Sequence, residues 1–241
     1  MQKLFLSKYG IYPFLDSYES DKFSFSFLKE NNSLCYTRKV VGGESKTFWI
    51  PFDEYKNVII QPSEPLVSDL PKTRLYLELD EPLSMFPDSF LAGFITVPLT
   101  VAIFLENSKK QQLVDLLHIS PIKFALYGNP HNGDICRYWK TKFSLVPIET
   151  TIFETALMEL EIENVSSSAI LVSKLIFDFA YIKIFYNENI AKIKGRAKIQ
   201  SETYCETEFL EPSELNGFNQ SIDLIPTKLL SSSKYLMTNG L

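Results

Sequence analysis

Histidine, cysteine and glycine are scarce in this chain, and each scarcity removes a class of chemistry. The 241 residues include two His, at 118 and 131, with no H-x-H or H-x-x-x-H spacing. An imidazole-based metal centre therefore has no ligand set, and neither a metal nor a cofactor is expected. The three cysteines, Cys35, Cys136 and Cys205, are widely spaced and include no C-x-x-C pair. That pattern suits a reducing compartment rather than a disulfide framework, so the expected location is cytoplasmic. The nine glycines are scattered, and their one adjacent pair, Gly42-Gly43 in VVGGESK, reads as a hairpin turn. P-loop, Rossmann and G-x-S-x-G signatures are all missing.

Two further shortages narrow the choice of partner. Basic residues are outnumbered, for a formal net charge of −5, so the whole-molecule field repels phosphate backbones and nucleic acid is not an expected partner. The longest uncharged apolar run, SFLAGFITVPLTVAIFL at 89–105, is interrupted by Pro98 and is shorter than the roughly 20 residues of a membrane span. It reads as two buried strands bent at the proline. The opening MQKLFLSKYG has no signal-peptide core, so neither a leader nor a transmembrane segment is expected.

What the chain does have is β-pattern. Aromatics reach 14%, with 19 Phe and 12 Tyr, and apolar residues 45%. In TRLYLELDEP, Leu75, Leu77 and Leu79 alternate with Arg74, Tyr76 and Glu78; in ALMELEIENV, Met158, Leu160 and Ile162 alternate with Glu159, Glu161 and Glu163. Pro51, Pro62, Pro65, Pro71, Pro82, Pro87 and Pro98 punctuate the first half as strand ends and connections. YNENI at 186–190 reads as a hairpin turn. Helical spacing is confined to NSKKQQLVDLLH, where Asn107 or Ser108 caps and Leu113, Leu116 and Leu117 share a face, with a strand starting at Gln112 as the alternative, and to a short turn at EPSELNG. The expectation is an all-β, mainly antiparallel sandwich or jelly-roll-like fold with at most one or two short helices. Residues 1–241 form a single domain on this reading, with a candidate lobe boundary near 106–110.

One stretch, YGNPHNGDICRYWK at 127–140, concentrates uncommon residues around two turn signals, Asn129-Pro130 and Asn132-Gly133. Alternation along its second strand puts Arg137 on an apolar side between Ile135 and Trp139. In KLIFDFAYIKIFY, Asp178 is likewise the one charge on a face with Ile176, Ala180, Ile182 and Ile184. Two opposite charges on apolar faces invite a buried ion pair, Arg137 with Asp178. The sharper reading makes Tyr127, Asn129, His131, Asp134, Arg137 and Trp139 a ligand or partner lip at the hairpin mouth. Cys136 and His131 fall short of a nucleophilic pair, since the loop separates them, and Cys136 reads as a structural strand residue. The run AKIKGRAKIQ places Lys192, Lys194, Arg196 and Lys198 on one face, and Glu202, Glu206 and Glu208 follow at the same alternation. Cross-strand ion pairs between these two runs account for both. A carboxylate cation site at Glu159, Glu161 and Glu163 is the lesser reading of a solvated strand face.

The segments PSEPLVSDLPKTRLYLELDEPL, LYGNPHNGDICRYW and FDFAYIKIFYNENI together resemble the archaeal family labelled domain of unknown function 432. The resemblance implies an archaeal intracellular protein and brings no established activity or catalytic residues. From the residues, the leading function is a non-catalytic binding or protein-interaction module recognising a polar small molecule, a glycan, or a peptide or protein. The rival is a metal-independent hydrolase or isomerase working through Asp134 or Asp178, with Arg137 steadying an anionic substrate. A third reading is a subunit of a larger assembly.

Overall fold

The computed structural model describes residues 3–66, 73–225 and 234–241; Pro71 lies outside them. The first strands are β1 (Lys3–Phe5), β2 (Gly10–Pro13), β3 (Ser17–Glu19), β4 (Phe23–Glu30), β5 (Ser33–Val40), β6 (Ser45–Pro51) and β7 (Asn57–Ser63). The long apolar alternations become β8 (Arg74–Met85) and β9 (Ser89–Pro98), followed by β10 (Thr100–Glu106) and β11 (Gln111–Leu117). The hairpin stretch forms β12 (Lys123–Tyr127) and β13 (Asp134–Thr141), and β14 (Thr155–Asn164) and β15 (Ile170–Asp178) follow. A 3-10 turn, Phe179–Tyr181, leads to β16 (Phe185–Tyr186), β17 (Ala191–Ile199), β18 (Cys205–Leu210), β19 (Asn219–Gln220) and β20 (Lys234–Met237).

These strands make four sheets. Sheet A runs β1-β3-β4-β5-β6, sheet B β11-β10-β7-β2, and sheet C β12-β13-β8-β15. Sheet D runs β19-β16-β17-β14-β9, with β18 on β17 and β20 on β18. Pairing is antiparallel except at β1–β3, β8–β13 and β14–β17. The fold is thus all-β and sandwich-like, without an α-helix among the described residues. Sheet A meets sheet B through Tyr36, whose hydroxyl donates to Asp115 Oδ2 at 3.1 Å. Sheet C meets sheet D through Phe177 and Phe209, whose ring centroids lie 5.0 Å apart. Between the two pairs, Tyr9 stacks edge-on with Phe153 and accepts its backbone N–H at 3.0 Å.

The alternations give the expected faces. Leu75, Leu77, Leu79, Met158, Leu160 and Ile162 are all buried. Residues 89–105 do split at Pro98, but the halves belong to different sheets, β9 to D and β10 to B. Gly42-Gly43 turns β5 into β6, and Asn187 closes the 186–190 turn, its N–H donating to Ile190 O at 3.1 Å. Pro82 sits at the register shift of β8 against β15 and beyond its pairing with β13, so its missing N–H breaks no ladder bond.

Two helix expectations give way. Asn107 does cap, its Oδ1 accepting the Lys109 and Lys110 N–H groups at 2.8 and 2.9 Å, but it closes the β10–β11 turn rather than starting a helix. A bulge then leaves Val114 unpaired, with Phe104 opposite Leu113 and Ile103 opposite Asp115. One extra residue in a strand turns period two into the i, i+3, i+4 spacing that mimics a helix. EPSELNG likewise holds only a turn, Phe218 N–H to Leu215 O at 3.0 Å, with Gly217 at φ +78°.

The outer face of sheet D is ionic. Parallel pairing sets Glu159, Glu161 and Glu163 opposite Lys194, Arg196 and Lys198. Glu161 bonds Lys194 at 2.8 Å and Arg196 at 2.8 Å, so the chief partners of the basic run lie on β14. The expected pairing with the following acidic run reduces to Arg196–Glu208 at 4.0 Å, while Glu206 takes Lys234 at 3.1 Å.

The free edge of β9 is met by the chain after β13, where Phe94 and Ser144 exchange backbone bonds of 2.7 and 3.0 Å. That approach requires Gly93, because a Cβ there would lie 2.6 Å from the Ser144 carbonyl and 2.4 Å from Phe143 Cζ. Gly93→Ala is expected to cost about 1–3 kcal/mol by overpacking against backbone, lowering the thermal midpoint by several degrees in a melting experiment.

Candidate functional site

The hairpin of β12 and β13 is built by local chemistry. Tyr127 pairs with Asp134 and Lys123 with Tyr138 in an antiparallel ladder. Between the strands, Asn129 Oδ1 accepts the His131 and Asn132 N–H groups at 3.0 and 3.2 Å, and Gly133 N–H reaches Asn129 O at 2.8 Å. A Cβ at Gly133 would sit 2.6 Å from that carbonyl, which is why this position is glycine. Asn129 therefore spends its side chain on the turn. His131 is exposed at its tip.

Register then sorts the hairpin side chains between two faces. β13 runs parallel to β8 with Arg137 beside Leu75, while β15 runs antiparallel to β8 with Asp178 beside Arg74. Successive residues of β8 point to opposite faces, so Arg137 and Asp178 lie on opposite sides of one sheet. The expected Arg137–Asp178 ion pair is not formed. Asp178 pairs with Arg74 and also accepts from Thr73 Oγ1 and from the Ala180 N–H. The 3-10 turn beginning at Phe179 ends the alternation on which the shared face of Asp178, Ala180 and Ile182 depended.

Arg137 faces sheet D with Leu75 and Leu77. It is 3% exposed, and its Nη1 has no hydrogen-bond partner. No carboxylate among the described residues lies within ion-pair distance of it. Burial pushes its pKa down to about 10. Neighbouring His118 is held neutral, its pKa lowered to about 4 by burial first, then by the charges of Arg137 and Arg38. Thr100 Oγ1 lies 3.4 Å from His118 Nδ1, and Arg38 Nε is paired with Asp115 at 2.7 Å.

The six lip residues do not converge. Tyr127 is buried, accepting the Asn239 N–H at 2.9 Å and donating to Gly240 O at 3.2 Å. Asp134 Oδ2 accepts the Tyr235 hydroxyl at 3.0 Å. Trp139 faces the other way with Arg137, its Nε1 donating to Thr96 Oγ1 at 3.4 Å. A shallow hollow of about 430 Å³ remains beside the turn, lined by Tyr76, Tyr127, Asn129, Lys174 and Asn239 among others. Cys136 is buried with its thiol on Asp134 O at 3.3 Å, away from exposed His131.

Besides its polar tip, the hairpin presents an apolar group to solvent. Phe124, Leu126 and Ile135 are 49%, 44% and 48% exposed. Leu126 stands opposite Ile135, and Phe124 opposite Arg137, so all four share one face. β12 is also the terminal strand of its sheet. Sequence reasoning passed over Phe124 and Leu126 because FALY reads simply as a strand. Their signal was an apolar alternation matching that of Ile135 and Arg137 across the turn.

Two stability measurements separate the two arginines. Arg137→Met removes a desolvated charge that has no ionic partner and is expected to raise stability by about 1 kcal/mol or more in urea unfolding. Arg74→Met strands Asp178 and is expected to cost about 2 kcal/mol, below the value for a fully buried pair because both groups keep some solvent contact. His118 has its own pH window. Its folded pKa lies below the unfolded value near 6.5, so its contribution is complete above about pH 6.5 and is lost as pH falls towards about 4. His118→Gln is expected to flatten the stability profile over that interval, and Arg137→Met to raise the His118 pKa seen by NMR titration.

No curated protein and no solved structure matches the chain significantly. The sequence profile described as protein of unknown function (DUF432) matches residues 8–239, a span that holds Arg74, Arg137, the β12–β13 hairpin and nearly all of the four sheets. On that near-complete match, the chain belongs to the DUF432 family.

Proposed function

We propose that this protein is a non-catalytic interaction module that receives an extended segment of a partner protein along the open edge of β12. The observation that carries the proposal is the conjunction of a strand edge that is unpaired among the described residues with Phe124, Leu126 and Ile135 exposed beside it. An edge strand offers a row of N–H and C=O groups ready for a further strand, and apolar side chains flanking it supply affinity and register. Single exposed apolar residues are ordinary; three on one face of one hairpin are a recognition surface. Arg137, on the same face and directly across from Phe124, favours a segment that brings a carboxylate to it.

The carboxylate-enzyme reading has less support. Asp134 is bonded to Tyr235, Asp178 is paired with Arg74, and both carboxylates lie on the face of the sheet opposite Arg137. Tyr127, Asn129, Asp134 and Trp139 serve as the hairpin's internal fastening.

The test is selection of a random extended-peptide library on the immobilised protein, followed by affinity measurement on folded variants. Enriched peptides are expected to alternate apolar residues and to carry an acidic position. Leu126→Lys is expected to weaken them at least tenfold without lowering the melting midpoint. Peptides that bind the Leu126→Lys protein undiminished, or a library that yields no enrichment, would sink the proposal.

A further inference from the structure

A second surface holds an extended segment, and there the occupant is visible. Alternation in β7 and β10 places Val58, Ile60, Val101 and Ile103 in the main core, which leaves Ile59, Gln61, Ala102 and Phe104 on the outer face of sheet B. That face is nevertheless dry: Ile59, Gln61, Ala102 and Phe104 are 2%, 1%, 0% and 3% exposed. Residues 221–225, Ser-Ile-Asp-Leu-Ile, lie across it, with Ile222 and Leu224 packed on the Ile59, Ala102 and Phe104 cluster.

The way this strap is held is unusual for packing alone. The Gln61 carboxamide makes both bonds of a backbone pair with Ile222, donating to its carbonyl at 3.0 Å and accepting its N–H at 3.1 Å. Glu64, only 4% exposed, uses one carboxylate oxygen to accept the Leu224 and Ile225 N–H groups at 2.8 and 3.3 Å. Its other oxygen accepts from Ser63 at 2.7 Å. A carboxamide and a carboxylate are costly to bury on a sheet face unless their hydrogen bonds are met. Here the backbone of an extended chain meets them, and backbone is common to every peptide. The side-chain requirements are two apolar seats and an acid between them, since Asp223 turns outward to the Lys183 ammonium. Ile222, Leu224 and Ile225 are only half-buried, so the strap covers the groove without being enclosed by it.

We infer that the outer face of β7, β10 and β11 is a recognition groove for an extended peptide of apolar–acidic–apolar pattern, and that residues 221–225 are its in-chain occupant. A partner segment of the same pattern competes for Gln61, Glu64 and the two apolar seats. This groove is distinct from the β12 edge and does not depend on it.

The experiment uses the full chain with Ile222→Asp and Leu224→Asp together, which empties the seats, and a fluorescent synthetic peptide of residues 219–225 read by anisotropy. Saturable binding at least tenfold tighter than to the wild-type chain is expected. It should be lost on adding Gln61→Ala, lost for a peptide with Lys in place of the Asp, and unchanged on adding Leu126→Lys. A folded double variant that binds no peptide, or binds it regardless of Gln61, overturns the inference. Should the double variant fail to fold, Asp223→Lys, which keeps the apolar contacts and repels Lys183, takes its place under the same readings.

Discussion

Every strand has two faces, and a chain whose described residues include no α-helix must cover both with something else. That constraint organises this molecule. The inner faces of sheets A and B, and of C and D, cover one another with alternating Leu, Ile, Val, Phe and Tyr. The outer faces are handled in three ways. Sheet D carries interleaved Glu and Lys or Arg columns that tolerate water. Sheet B is roofed by residues 221–225. The Tyr76 face of sheet C is crossed by the chain from Tyr235 to Leu241, which bonds to Asp134, Tyr127, Ser173 and Lys174 on the way.

The same constraint accounts for the internal hydrogen bonds made by several of the uncommon residues in the hairpin stretch. Its Tyr127, Asn129, Asp134 and Trp139 side chains each make a hydrogen bond within the molecule. Asn129 shapes the turn, Tyr127 and Asp134 fasten the closing segment, and Trp139 ties β13 to β9. Arg137 is the exception. It lies on a face with Leu75, Leu77 and Trp139, its Nη1 is unpaired, and its field helps to hold His118 neutral. It stands in the ladder directly across from the exposed Phe124, on the face that also carries the exposed Leu126 and Ile135.

Much of the architecture was legible in the residues. Leu75-Leu77-Leu79 and Met158-Leu160-Ile162 announced their strands and their buried sides, and Gly42-Gly43, Asn187 and Asn129 announced their turns. These are local facts, set by period two and by turn chemistry within a few residues. The stretch 107–118 was ambiguous between a helix and a strand from Gln112 for an equally local reason: a one-residue bulge at Val114 shifts apolar positions into helical spacing, and the Asx cap of Asn107 serves a hairpin as well as a helix.

By itself the sequence determined the class of fold and the strand faces, because composition and nearest-neighbour pattern suffice for these. Tertiary structure decided which charges meet. Arg137 and Asp178 each stand on a face with apolar neighbours, but a face is defined within one strand, while a contact depends on register between strands. The parallel pairing that sets Arg137 beside Leu75, and the antiparallel pairing that sets Asp178 beside Arg74, separate the two by the thickness of a sheet. Which strand became an edge, and which outer face was roofed by residues 160 positions away, are likewise long-range outcomes of sheet order. No window of a few residues contains them.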